Sequence, residues 1–356
     1  MIAARLRKRL AATVSSPPFL LEAELEIAPG VTGLYGPAGA GKTLLLELLA
    51  GLEKPDEGRI LVDDDLVFDA AAKVDRPARV RGCAYLPAAN SLFPHMTLRE
   101  NLAFGAAGLP RLEKHRRVEQ TLERFDLGRL AGRRPTDISQ WDRLRCSLAR
   151  MLLSAPRAVL MDAPAAGLSG SERRAFESLL REVRREYSAA YVLTTRDLRD
   201  CSGMCDQVAV ISEGRILQTG PPLSVMQSPA NLAVARLLGM HNLLEAEIVS
   251  LDPQRNSSRL RLGELELAGP YFRGKLRGDR VWLCIAPHEL RLVPRSGRPG
   301  PNQAPAEIRR VTEAADVAHI ELEGDLHVEM PRRDYEERKH NREWWVEFPS
   351  HTLRVM

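Results

Sequence analysis

A chain of 356 residues, 44% hydrophobic and 28% charged, has ordinary cytosolic composition and length for two or three domains. Lys and Arg number 51 against 47 Asp and Glu, and a net charge of +4 spread over this length excludes a nucleic-acid binder driven by bulk charge. The densest apolar run, residues 44–52, is broken by Glu47 and falls far short of the roughly 20 residues a bilayer span needs, and the N-terminus lacks a signal-peptide core.

Arg5, Arg7, Lys8 and Arg9 form a small basic start that reads as a solvated strand. The alternation from Phe19 to Ile27 predicts a strand with one wet face, and Gly30 to Tyr35 a short strand that enters a glycine-rich loop. That loop, Gly36, Pro37, Ala38, Gly39, Ala40, Gly41, Lys42 and Thr43, matches G-x-x-x-x-G-K-[ST] between a strand and a helix. Glycines there let backbone N–H groups turn inward around phosphate oxygens. Lys42 then reaches the β/γ-phosphates, and Thr43 offers a hydroxyl to Mg²⁺.

Residues 42–52 switch to helical spacing, and a helical insert is expected over about 97–155. Two apolar runs, 158–162 and 191–195, flank a charge-rich helical stretch, 172–187. Buried strands alternating with helices imply a parallel sheet covered on both faces. After about residue 240 short alternating segments (244–249, 258–267, 280–285, 307–311, 318–322, 326–330, 344–348) suggest antiparallel β modules. Residues 296–302 read as a linker between two of them. The five cysteines are odd in number and lack zinc spacing, so reduced thiols are expected. His241 and His288 read as surface residues.

Leu48-Leu49-Ala50-Gly51-Leu52-Glu53-Lys54-Pro55-Asp56-Glu57-Gly58, Leu92-Phe93-Pro94-His95-Met96-Thr97 with Glu100-Asn101-Leu102, and Leu148-Ala149-Arg150 extend the pattern around the phosphate loop. With them the chain resembles the ATP-binding subunits of ABC transporters, most closely the ATPase of molybdate importers and its sulfate, maltose and polyamine relatives. The resemblance spans nearly the whole chain. It implies an α/β P-loop nucleotide-binding domain with a helical subdomain over residues 1–238. An all-β, OB-like (TOBE-like) domain follows over 239–356, as one body or as two modules, 239–296 and 304–356. It also implies ATP and Mg²⁺ as ligands, with Asp162 beside Thr43 at the metal, and Phe19 stacked on adenine. A second reading of Phe19, as a strand residue facing the core, stands beside it. The implied partners are a membrane permease, met through residues 92–102 at the inner face of the cell membrane, and a second copy or an intact relative as dimer partner.

The resemblance also fixes where catalytic residues belong, and several are missing. The Glu that follows the Walker B Asp is Ala163, and the switch His is Arg196. The γ-phosphate-sensing Gln is Ala88, and the signature Leu-Ser-Gly-Gly-Gln/Glu is Ile138-Ser139-Gln140-Trp141-Asp142. A methyl group cannot orient water, so general-base help of about 10²–10⁴-fold is lost. Trp141 is expected to fill space that a partner's phosphate requires, and Leu44 replaces a second hydroxyl residue. Three readings follow: an importer subunit with impaired hydrolysis, an inactive partner of an intact ATPase, and an oxyanion sensor acting through the β-rich domain.

Overall fold

In the computed structural model, which describes residues 1–12, 17–88, 91–239, 242–295, 297–341 and 343–356, the alternation at 19–27 buries Leu21, Ala23, Leu25 and Ile27 and exposes the glutamates between them. Side chains of a strand point to opposite faces in turn, so one face joins the core and the other stays wet. The chain divides into two units, Met1–Gln227 and Ser228–Met356.

The first unit runs β1 (Ile2–Leu10), β2 (Phe19–Ile27), β3 (Gly30–Tyr35), α1 (Lys42–Ala50), β4 (Glu57–Val62), β5 (Asp65–Asp69), β6 (Val74–Asp75) and β7 (Cys83–Leu86). The helical insert follows as α2 (Leu98–Gly105), α3 (Arg111–Arg124) and α4 (Gln140–Leu152). The unit closes with β8 (Ala158–Met161), α5 (Gly170–Glu186), β9 (Ala190–Thr195), α6 (Leu198–Met204), β10 (Gln207–Ser212), β11 (Arg215–Gly220) and α7 (Pro222–Gln227). Among the described residues these strands form one 11-stranded sheet, in the order β6-β5-β4-β1-β2-β11-β10-β3-β9-β8-β7. β10, β3, β9, β8 and β7 pair in parallel, whereas β1 pairs antiparallel with β2 and β4.

The basic start lies on β1 opposite acidic neighbours: Arg5 faces Glu24, Arg7 faces Glu57, and Lys8 reaches Glu53 and Asp56. Its charge is spent locally. α5 shows how sequence becomes packing: Ser169 and Glu172 form a capping box at its start, and Phe176, Leu180 and Val183, at helical spacing, are buried. Each such side chain contributes about 1.5–3 kcal/mol when fully buried.

The second unit begins with α8 (Leu232–Leu237) and continues β12 (Asn242–Asp252), β13 (Ser257–Leu262), β14 (Leu265–Pro270), β15 (Arg280–Ile285), β16 (Arg291–Pro294) and β17 (Gln303–Ala306). After it come β18 (Ile308–Glu313), β19 (Val317–Leu322), β20 (His327–Pro331), α9 (Arg332–Arg338), β21 (Trp344–Glu347) and β22 (Arg354–Val355). The unit is β-rich, as expected, with three sheets: β14-β13-β12-β15-β22, β16-β21-β17 and β18-β19-β20. Residues from both expected modules share one apolar core, for instance Ile248 and Leu283 with Ile320 and Phe348.

One local reading is corrected, and one helix escaped the sequence reading. The segment 258–267 is a hairpin, turning at Gly263 in left-handed backbone, where a side chain is costly. The charged stretch 332–338 is a helix held by Arg332–Glu336 and Arg333–Glu337 pairs, and with no apolar stripe its periodicity was invisible. His288 is exposed, and His241 lies outside the described residues. Among the described residues no helix is long and apolar enough to cross a membrane.

Candidate functional site

The phosphate loop leaves β3 at the C-terminal edge of the parallel strands and enters α1. Gly36 is pressed against β10: a β-carbon there would stand 2.0 Å from the Ile211 carbonyl oxygen, so only glycine fits. Gly41, with φ near +97°, has Leu21 and Phe19 side chains where its β-carbon would be, at 2.7 and 3.0 Å. Lys42 donates from Nζ to the carbonyl oxygens of Gly36 and Pro37, both at 2.7 Å. Burial first, and the Arg196 guanidinium second, hold its ammonium below the usual lysine range, while Asp162 acts the other way.

Asp162 directly follows β8, almost fully buried, and both carboxylate oxygens are hydrogen-bonded. Thr43 Oγ1 donates to Oδ2 at 2.8 Å, and Thr194 Oγ1 donates to Oδ1 at 2.6 Å. Thr194 also accepts from the Ala163 N–H at 2.8 Å. Thr194 escaped the sequence reading. The signal available was a hydroxyl at the end of a buried strand, and its partner became evident only once β9 lay beside β8.

A cavity of about 990 Å³ is lined by residues 38–44, Phe19, Ala88, Asp162, Ala163, Thr194, Thr195 and Arg196. Phe19 packs against the core containing Leu21 and α1 and also lines this cavity. Ala88 and Ala163 line it too, so two methyl groups stand where an amide and a carboxylate were expected. Ala163 holds φ near +46°, a left-handed conformation unfavourable for a residue with a β-carbon.

Behind those alanines lies a smaller cavity of about 260 Å³, reached by Ser91, Gln140, Arg143 and Ser147. Ser139 caps α4 by accepting from the Asp142 N–H, and its hydroxyl donates to the Asp142 carboxylate at 2.7 Å. Trp141 faces its own chain: the half-buried ring packs on the core of the helical insert, and Arg145 lies over it at 5.5 Å. At the far end of α1 the buried Arg81 donates to the Leu48 and Arg76 carbonyls and to Asp75. It closes the helix that the phosphate loop opens.

The ABC transporter family profile matches residues 20–166. The chain is 33% identical to the molybdenum import ATP-binding protein ModC of Paramagnetospirillum magneticum, over 76% of each sequence. It is 34% identical to the spermidine/putrescine import ATP-binding protein PotA 1 of Pseudomonas aeruginosa, over 78% of this chain and 75% of that one. Among solved structures, cbiO1 from Clostridium perfringens, part of the ABC transporter complex cbiONQ, aligns with a TM-score of 0.54 and 26% identity, covering 66% of this chain and 92% of its own.

Proposed function

The chain belongs to the ATP-binding family of ABC transporters, and we propose that it is the nucleotide-binding subunit of an importer, taking ATP and Mg²⁺ at the cavity beside the phosphate loop. The observation that carries this reading is the convergence of Lys42, Thr43 and Asp162 on one cavity of about 990 Å³. The Thr43 hydroxyl and the Asp162 carboxylate, 2.8 Å apart, form a hard-oxygen pair that suits Mg²⁺. When bound, the metal supplies charge neutralisation at phosphoryl oxygens. Lys42 exchanges its two carbonyl contacts for phosphate oxygens, the glycine loop presents N–H donors, and Phe19 offers a face to the base.

Partner docking is read on the helical insert, where Ala103, Leu112 and Val118 line an apolar groove of about 590 Å³ between α2 and α3, rimmed by Arg99, Arg111 and Lys114. Glu100 also lines it and Arg99 pairs with Glu119, so a permease segment with an apolar face suits that groove, and it would hold the chain at the inner face of the membrane. We read residues 1–238 as the nucleotide domain, with its helical subdomain at 97–155, and residues 239–356 as the β-rich domain.

A second reading, a hydrolytically impaired partner of an intact ABC ATPase, is favoured by Ala88 and Ala163: both line the cavity, and neither can position water. Calorimetry of ATP with wild type and Lys42→Ala tests nucleotide binding, and phosphate release tests turnover. Binding lost in Lys42→Ala with no release by wild type supports both readings. Undiminished binding in Lys42→Ala removes the phosphate-loop assignment.

A further inference from the structure

Asp162 is held from two sides. Its backbone N–H donates to the Leu86 carbonyl of β7 at 2.8 Å, and its carboxylate meets Thr194 on β9, the strand that pairs in parallel with β8. Thr194 is 1% exposed, and its hydroxyl is fully used. A hydroxyl has one proton to give. Here it goes to Asp162 Oδ1 at 2.6 Å, while the oxygen accepts from the Ala163 N–H at 2.8 Å. The two bonds fix the hydroxyl rotor, and branching at Cβ stiffens χ1. A bond of this length from a hydroxyl to a carboxylate is of the stronger, charge-assisted kind, so it resists rotation of the acid. Oδ1 is therefore turned to β9, and Oδ2 is the oxygen beside Thr43 Oγ1, 2.8 Å away.

A carboxylate pinned through one oxygen offers a cation only the other. Magnesium is small, demands octahedral geometry at about 2.0–2.1 Å and keeps several waters, so one carboxylate oxygen beside one hydroxyl suits it. Calcium collects about six to eight oxygens at about 2.3–2.6 Å and readily takes a carboxylate through both. We infer that Thr194 is a specificity-determining positioning residue: by holding Oδ1 it presents Asp162 as a one-oxygen ligand, and the site thereby selects Mg²⁺ over Ca²⁺ as the companion of ATP. The inference rests on reading Thr43 and Asp162 as the metal site and goes further by assigning its selectivity to Thr194. Thr194 acts through Asp162, and no bond to the metal or the nucleotide is assigned to it.

The test is isothermal calorimetry of ATP on the full chain in excess Mg²⁺, in excess Ca²⁺ and in EDTA, for wild type, Thr194→Val and Thr194→Ser. Valine keeps the branched shape without the hydroxyl, and serine keeps the hydroxyl without the methyl. Wild type is expected to bind ATP about tenfold more tightly with Mg²⁺ than with Ca²⁺. Thr194→Val should cut the gain from Mg²⁺ by about tenfold, as loss of a group that orients a metal ligand does, and bring the two cations within about threefold of each other. Thr194→Ser should keep the wild-type ratio. A general loss of packing weakens binding in all three buffers alike, so the ratio separates positioning from stability. Circular dichroism checks folding, and should Thr194→Val not fold, the wild-type ratio decides. Equal affinity of wild type with both cations overturns the inference, as does an unchanged ratio in Thr194→Val, and either result leaves the metal site standing. Wild-type affinity in EDTA equal to that with either cation removes the metal reading of Thr43 and Asp162, and absence of ATP binding in every buffer removes the nucleotide site itself.

Discussion

Gln140 donates from Nε2 to the Ala166 carbonyl oxygen at 2.7 Å, tying the first turn of α4 to the loop that follows Asp162. A β-carbon on Gly167, where φ is near +77°, would stand 3.0 Å from the same amide nitrogen, so a small residue is what lets the side chain lie there. The altered signature segment and the end of β8 are thus joined within one chain. A side-chain amide bond at an exposed position contributes about 0.5–1.5 kcal/mol. Gln140→Ala should therefore cost about 1 kcal/mol and speed amide exchange in residues 139–142 and 164–168. Unchanged exchange in both segments would show that the bond restrains neither.

Trp141 is part of the packing of its own helical insert, so opening this face by mutation carries a stability cost. Replacing Gln140 and Trp141 together by glycine adds two poor helix formers, at about 1 kcal/mol each, to the loss of the ring's contacts. The double variant should unfold at distinctly lower urea concentration than wild type. An unchanged midpoint would mean that the ring contributes nothing to its own core.

Ala163 offers a two-way test. A left-handed conformation costs a residue with a β-carbon about 1–2 kcal/mol, whereas glycine adopts it freely at an entropic cost of about 0.5–1 kcal/mol. Ala163→Gly is thus expected to leave stability unchanged or raise it by up to about 1 kcal/mol, read by denaturant unfolding. Ala163→Glu alone should not bring phosphate release to the ordinary range of about 1–10³ s⁻¹, because Ala88 and Arg196 remain. Fast release by that single variant would show that one carboxylate was the whole deficit.

Arg81 is 1% exposed, and its guanidinium fills the space over Gly51, where a β-carbon would approach Nε to 2.4 Å. Its three hydrogen bonds satisfy a carbonyl near the end of α1 and link that helix to residues 75–76. Arg81→Met keeps the aliphatic bulk but removes all three hydrogen bonds of the buried guanidinium, at an expected cost of about 2–4 kcal/mol. Because α1 carries the phosphate loop, ATP affinity should fall in parallel. Wild-type stability in this variant would refute the closing role.

Asn242, wholly buried, exchanges two hydrogen bonds with the His327 backbone, donating from Nδ2 to the carbonyl at 2.8 Å and accepting the N–H at 2.7 Å. Asn242→Ala removes both of these buried hydrogen bonds and should cost about 2–4 kcal/mol, seen as a lowered unfolding midpoint of the β-rich unit. Asn242→Asp keeps only the acceptor and should be no better, since burial disfavours its charge.

The sequence by itself determined the features that depend on neighbours along the chain. The phosphate loop needs eight consecutive residues. β2, α1, α5 and most strands after residue 240 are set by alternation or helical spacing, and the ABC resemblance follows from local motifs. What the tertiary structure decided is carried by residues far apart: Thr194 on Asp162 across adjacent strands, Arg81 on Leu48, Gln140 on Ala166, and Asn242 on His327. A polar residue in sequence shows what it can donate or accept but not which partner the sheet order brings within reach. The same limit hid the charge balance of the cavity. Arg196 was visible as a replaced residue, but that it lines the same cavity as Lys42 while Asp197 pairs with Arg199 follows only from how β9 and α6 lie against the phosphate loop.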